Sequence, residues 1–215
     1  CRREIFLPLG MKETSFRPDA KLKSRIAPTT LLADGSVLRG IVHDPTARRM
    51  GDVAGHAGLF STAADLARFA RMLLNGGGGV FKPETIRLMT SVQSPSNIKA
   101  RRGLGFDIDS PYSSLRGELF PKGSFGHTGW TGTSMWIDPT SESFVIFLCN
   151  RNHPSGGNVL ALRRALGTLA AKATGFDFSR VKGTLPGVVS KSLESPNVLN
   201  GIDVLERDQF AALKG

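Results

Sequence analysis

The sequence predicts an α+β fold in which an antiparallel sheet is flanked by helices. Three observations predict it. The apolar runs "GTSMWIDP" (132–139) and "SFVIFLCN" (143–150) are joined through the turn "DPTSES", and so short a connection implies antiparallel neighbours. A third run, "GLGFDID" (103–109), alternates Leu104, Phe106 and Ile108 as a strand does. Around these lie segments with helical apolar spacing.

In chain order, "CRREIFLPLGM" reads as a helix end running into a Pro-Gly turn. Residues 14–60 are irregular and rich in Pro, Gly and Asp. "STAADLARFARMLLNGG" (61–77) is the clearest helix. Thr62 with Asp65 resembles a capping box, Leu66, Phe69, Ala70 and Leu73 follow at helical spacing, and Asn75-Gly76 supplies the stop. "KPETIRLMTS" starts a second helix with Pro83 in its first turn. In "NVLALRRALGTLAAKATG" (158–175), Leu162, Leu166, Leu169 and Ala173 share one expected buried face, with Gly175 just past the end. On its strand, Trp136 is expected in the core.

Composition bounds the function. The 215 residues are 40% hydrophobic and 21% charged, as in an ordinary globular protein, and no apolar run approaches the ~20 residues of a membrane helix. The net charge of +10 favours anionic surroundings. The basic residues are scattered as pairs, among them Arg48–Arg49, Arg101–Arg102 and Arg163–Arg164, which reads as a solvated surface. Without a basic stripe interleaved with aromatics, nucleic acid is not the expected partner, and a basic nucleic-acid-binding protein stays as an alternative. Two cysteines make no disulfide framework: Cys149 reads as a buried small hydrophobe, and Cys1 as a lipidated end or a cut point. His43, His56, His127 and His153 lack metal-site spacing, and no metal or cofactor is expected.

Chemistry concentrates in "GHTGWTGTSMWIDP" (126–139). A glycine-rich strand end leaves backbone N–H groups open to a ligand, and acyl-transfer enzymes need such groups aimed at a developing oxyanion. The tripeptide His127-Thr128-Gly129 resembles the Lys-Thr-Gly of penicillin-recognising serine enzymes, with histidine in the lysine's place. Together with "AGHAGLFSTAADLARF", "GLGFDI" and the closing helix, residues 1–176 resemble the C-terminal half of the β-lactamase-like serine hydrolase family. That family includes class C β-lactamases, D-Ala-D-Ala carboxypeptidases and esterases.

The resemblance implies a site at His127, Thr128, Gly129 and Trp130, with the Trp130 N–H as one oxyanion donor. His43, Asp44 and His56 match loop residues facing the cleft, as substrate contacts or as loop-stabilising groups. It implies a peptidoglycan-derived or other small-molecule substrate and a periplasmic or cell-envelope location, although the opening residues have no signal-peptide h-region. The family's nucleophile, a serine in Ser-x-x-Lys at a helix start, is expected outside this chain, so the chain reads as an incomplete fragment. Ser96–Lys99 fits the Ser-x-x-Lys pattern and Tyr112 loosely fits the family's tyrosine element, but the spacing to His127 is too short and Pro95 suggests a loop. Ser179–Lys182 is a further chance match. A non-catalytic wall-binding module of the same fold is the other alternative.

The expected domains are 1–178 for the hydrolase part, 179–196 for a Ser/Pro/Gly linker, and 197–215 for the start of a second domain. The tail "NVLNGIDVLERDQFAALKG" resembles the opening of an exo-β-N-acetylmuramidase-like domain, which implies a linked second cell-wall hydrolase.

Overall fold

The structure is a computed structural model that describes residues 1–186. The expected second-domain start at 197–215 lies outside the described residues. The elements in order are β1 (Ser15–Phe16), β2 (Thr30–Leu31), β3 (Val37–Leu38), α1 (Pro45–Arg49), β4 (Leu59–Phe60), α2 (Ala63–Leu74), α3 (Pro83–Thr90), β5 (Arg101–Arg102), β6 (Asp107–Asp109), β7 (Phe125–Thr128), β8 (Ser134–Asp138), β9 (Ser143–Phe147) and α4 (Leu160–Ala173).

Strands β5 to β9 form one antiparallel sheet in sequential order, so every connection joins spatial neighbours. The expected β8–β9 hairpin is present, with Asp138 opposite Ser143. Buried Asp138 closes that turn: its carboxylate accepts from the Thr140 and Ser141 N–H groups and from the Ser124 and Ser141 hydroxyls. The expected strand 103–109 is cut to three residues. Gly103 N–H turns back to Phe106 O and Leu104 N–H bonds Met89 O, although Phe106 and Ile108 are buried as the alternation requires. Residues 14–60, which carry little periodicity, hold two two-stranded ribbons, β1–β4 and β2–β3, and the short α1.

The core lies between the sheet and α2–α3. Ile108, Phe125 and Ile137 of the sheet pack with Ala70, Met72 and Leu73 of α2 and Ile86 of α3. Trp136 is 1% exposed, as expected. At the start of α2, Thr62 Oγ1 accepts from the Asp65 N–H at 3.3 Å. The capping box is not reciprocal, however. Asp65 is buried and its Oδ2 accepts from Glu13 N–H (2.8 Å) and the Thr14 hydroxyl (2.9 Å), tying the N-terminal segment to α2.

Two expectations are corrected. The buried face of α4 is Arg163, Gly167 and Ala171, while Leu162, Leu169 and Ala173 are exposed. The reason is close backbone approach: α4 packs on the turn Ser113–Arg116 and on β9, and a Cβ at Gly167 would lie 2.2 Å from Arg116 O. A leucine face cannot come that near. Cys149 is only half-buried, because β9 pairs with β8 alone among the described residues and all five of its side chains are half-buried. The first residues of the expected linker run along Lys122–Gly123, where Thr184 O crowds Gly123, and Leu185 packs against the core.

Candidate active site

The β7–β8 connection builds the site. The ladder runs to the pair Thr128–Ser134 and continues in one more bond, Gly129 N–H to Thr133 O at 2.7 Å. Gly132 N–H then returns to Gly129 O at 3.1 Å, closing a four-residue turn with Trp130 and Thr131 at its centre. Gly132 holds φ +122°, and a Cβ there would lie 2.4 Å from Cys149 Sγ, so the glycine is needed both for conformation and for space. The Trp130 N–H finds no acceptor among the described residues, and the Trp130 side chain is 73% exposed. The amide is an available donor just past the end of β7.

Two arginines hold the turn. Arg163, 5% exposed, reaches from α4 with its Nη2 2.8 Å from both Gly129 O and Thr133 O, and its Nε 3.0 Å from Gly132 O. The guanidinium thus bonds carbonyls on both sides of Trp130. Burial pushes it below the ordinary arginine value, which still leaves a charge at neutral pH. A cation fixed under the turn adds positive potential where an oxyanion would form. Above the turn, Arg151 N–H donates to Thr131 O at 2.8 Å and its guanidinium stacks 5.0 Å from the Trp130 ring centroid. The sequence reading of Arg163 as part of a solvated basic pair is therefore corrected: Arg164 is exposed, Arg163 is not.

His127 is on β7, one residue from the turn, and its side chain is 55% exposed. Its Nδ1 lies 2.8 Å from Thr128 O, and its Nε2 faces Asp107 Oδ2 at 3.9 Å. Asp107 is fully buried, with Oδ1 accepting from the Ser110 hydroxyl (2.7 Å) and ion-paired with Arg102 Nε (3.0 Å). The sequence reading missed Asp107, Arg102 and Arg163. The only signal for Asp107 was a carboxylate between the apolar positions of "GFDI".

The structure brings His56 and Asp44 together, Nε2 to Oδ1 at 3.1 Å, while Asp44 caps α1 by accepting from Ala47 N–H at 2.7 Å. His43 is half-buried, and its carbonyl accepts from Arg48. These three residues form their own group around α1, and no hydrogen bond or ion pair among the described residues joins them to His127. Ser96 lies in an exposed turn, its carbonyl bonded by Arg101, and Tyr112 is exposed under the Arg102 guanidinium. Ser96 is not at a helix start, Tyr112 immediately precedes the short 3-10 turn Ser113–Arg116, and neither is paired with His127. Ser179 lies in the exposed short turn Phe178–Arg180.

The Beta-lactamase family profile matches residues 1–170. The chain belongs to the β-lactamase family. Among curated relatives of this family member, the "Putative D-alanyl-D-alanine carboxypeptidase" of Escherichia coli (strain K12) is 34% identical over 172 residues, covering 69% of this chain and 38% of that protein. The protein of the same name from Salmonella schwarzengrund (strain CVM19633) is 34% identical over 206 residues, covering 84% and 46%. The chain thus spans less than half the length of these relatives. Among solved structures, a simvastatin synthase variant from Aspergillus terreus superposes with a TM-score of 0.61 at 18% identity, covering 81% of this chain and 50% of that one. A β-lactamase from Mycobacterium bovis gives 0.56 at 23%, covering 81% and 55%. At these identities the structures establish the shared fold, an α+β arrangement of sheet and flanking helices.

Proposed function

We propose that this β-lactamase-family chain forms one wall of the active site of a serine hydrolase that works through an acyl-enzyme on a cell-wall-type peptide, with an ester as the alternative substrate. The observation that carries the reading is the unpaired Trp130 N–H, held on a turn pinned from below by Arg163 and flanked by His127. In this reading the Trp130 amide donates to the tetrahedral oxyanion. His127 hydrogen-bonds the substrate beside it, where the family's lysine would stand, and Thr128 and Gly129 set the strand end against the substrate backbone. The exposed Trp130 ring, backed by Arg151, offers a ledge for the acyl group.

The nucleophile and its base are supplied by a Ser-x-x-Lys element outside these residues. Support comes from the partial coverage of the relatives and from the loop positions of Ser96 and Ser179. The relatives' names support a D-alanyl-D-alanine peptide as substrate and, with it, a cell-envelope location. His43, Asp44 and His56 are proposed as the rim of the cleft, and 197–215 as the start of a linked second cell-wall hydrolase domain.

The test compares this 215-residue chain alone with a longer gene product carrying Ser-x-x-Lys, on nitrocefin, a nitrophenyl ester and a D-alanyl-D-alanine peptide. Turnover is expected only in the longer protein. There, His127→Ala should cut kcat/KM by about 10²-fold, the order lost with one oxyanion-site contact, while the melting temperature stays. Hydrolysis by the 215 residues alone, or undiminished turnover in His127→Ala, would overturn the reading. A gene product that binds muropeptide without turnover, and has no Ser-x-x-Lys, would favour a wall-binding module.

A further inference from the structure

We infer that Asp107 is a positioning residue of this site, a buried carboxylate that anchors the His127 ring through Nε2. The inference rests on the proposed role of His127.

The starting observation is an imbalance within one side chain. Asp107 is fully buried, and its Oδ1 accepts from the Ser110 hydroxyl and is ion-paired with Arg102 Nε. Its Oδ2 is equally buried and has no hydrogen-bond partner among the described residues. A carboxylate oxygen left without a donor in the interior costs free energy, and such groups in folded proteins call for an explanation. The Ser110 and Arg102 contacts both fall on Oδ1 and leave Oδ2 without a donor. What Oδ2 faces is His127 Nε2, at 3.9 Å.

The backbone makes the juxtaposition durable. Asp107 stands opposite Gly126, the residue before His127, in the β6–β7 ladder, so strand pairing keeps the two residues on adjacent strands. The ring itself is more than half exposed and can turn. A charge-assisted hydrogen bond needs about 2.8 Å, so the ring has roughly 1 Å to close.

At present Nδ1 is taken up by Thr128 O at 2.8 Å. With Nε2–H donated to Asp107, the ring no longer depends on that carbonyl for its orientation, and the unprotonated Nδ1 is left to accept from a substrate N–H or O–H. Asp107 thereby does for His127 what a second-layer carboxylate does for an imidazole in other sites: it fixes which nitrogen points outward. Arg102 and Ser110 fix the carboxylate in turn.

The experiment is a double-mutant cycle in the longer, Ser-x-x-Lys-bearing protein, read as kcat/KM on a D-alanyl-D-alanine peptide, with ¹⁵N shifts of the histidine rings as a second readout. Asp107→Asn is expected to lower kcat/KM about tenfold to hundredfold, the order lost when a contact that orients a reacting group goes. It is expected to add nothing in a His127→Ala background. The ring shifts of His127 should move in Asp107→Asn while those of His43, His56 and His153 stay. If Asp107→Asn does not fold, Ser110→Ala takes its place: it removes the Oδ1 hydrogen bond and leaves the Arg102 ion pair alone to hold the carboxylate, and a smaller loss is expected, again silent once His127 is gone. Losses that add to that of His127→Ala, or ring shifts that stay at their original values, would overturn the inference and leave the proposed function standing. Full turnover in His127→Ala would instead remove the proposed function, and the ring shifts alone would then decide the Asp107 contact.

Discussion

Arg163 shows how much one residue contributes to the site without touching a substrate. Three carbonyls of the β7–β8 turn converge on its guanidinium, and no carboxylate pairs with it among the described residues. The charge is balanced by peptide dipoles, an arrangement in which the planar fork of arginine fits and an ammonium does not. Arg163→Met would remove three hydrogen bonds, leaving Gly132 O with no donor among the described residues and Gly129 O and Thr133 O with their backbone donors alone, at about 1 kcal/mol per bond, or about 3 kcal/mol in all. Thermal unfolding should report a fall of about 6–12 °C for a chain of this size. Arg163→Lys should recover part of it. An unchanged melting temperature in Arg163→Met would mean that water replaces the clamp. No reading of "NVLALRRALG" separates this arginine from Arg164, because the difference is which side of α4 meets the turn.

Among the elements, α1 is short and depends on its cap. Asp44 accepts from Ala47 N–H, and that bond, followed by the contact with His56, holds the Asp44 carboxyl below its ordinary value. A lowered folded value means that the contribution is complete above the unfolded value of about 3.9 and is lost as the pH falls through the folded one. Amide exchange at Ala47, taken relative to its intrinsic rate at each pH, should therefore stay slow near neutrality and quicken only below about pH 4. Asp44→Ala should make it fast throughout, and an acid-insensitive Ala47 amide would show the cap to be idle. Helix α2 was legible because its signals are local: Thr62 caps, the apolar stripe follows, and Asn75 and Gly76 end it. Helix α4 was legible as a helix but not in its orientation. Its leucines suggested the buried face, whereas Gly167 and Ala171 allow the closest packing and take it. Close approach between backbones is a property of two segments, and one segment does not reveal it.

At the scale of the molecule, the sheet is finished on neither side by this chain's described residues. Strand β9 pairs only with β8, and Leu162 and Leu169 of α4, together with Leu148, leave apolar surface exposed. An unpaired edge beside apolar surface invites association. The 215 residues expressed alone are expected to self-associate, which sedimentation velocity would show as species heavier than a monomer. A sharply melting monomer would count against this. The short "DPTSES" link made the β8–β9 pairing readable in advance, whereas the tight turn after His127, which makes Phe125–Thr128 a strand of its own, was not. The ribbons within 14–60 were not readable, because strands of two residues carry no periodicity.

By itself the sequence determined the α+β class, the β8–β9 hairpin, helix α2, the family and the residues His127 to Trp130 as the place to look. Each of these is written in neighbouring residues: a turn, a cap, an alternation or a motif. Only the tertiary structure decided that the Trp130 amide is left unpaired, that Arg163 turns inward to hold it, and that a buried carboxylate sits behind His127. Those facts depend on segments some twenty to thirty residues apart meeting at angstrom distances. Packing and sheet register fix such meetings, and residue order along the chain does not.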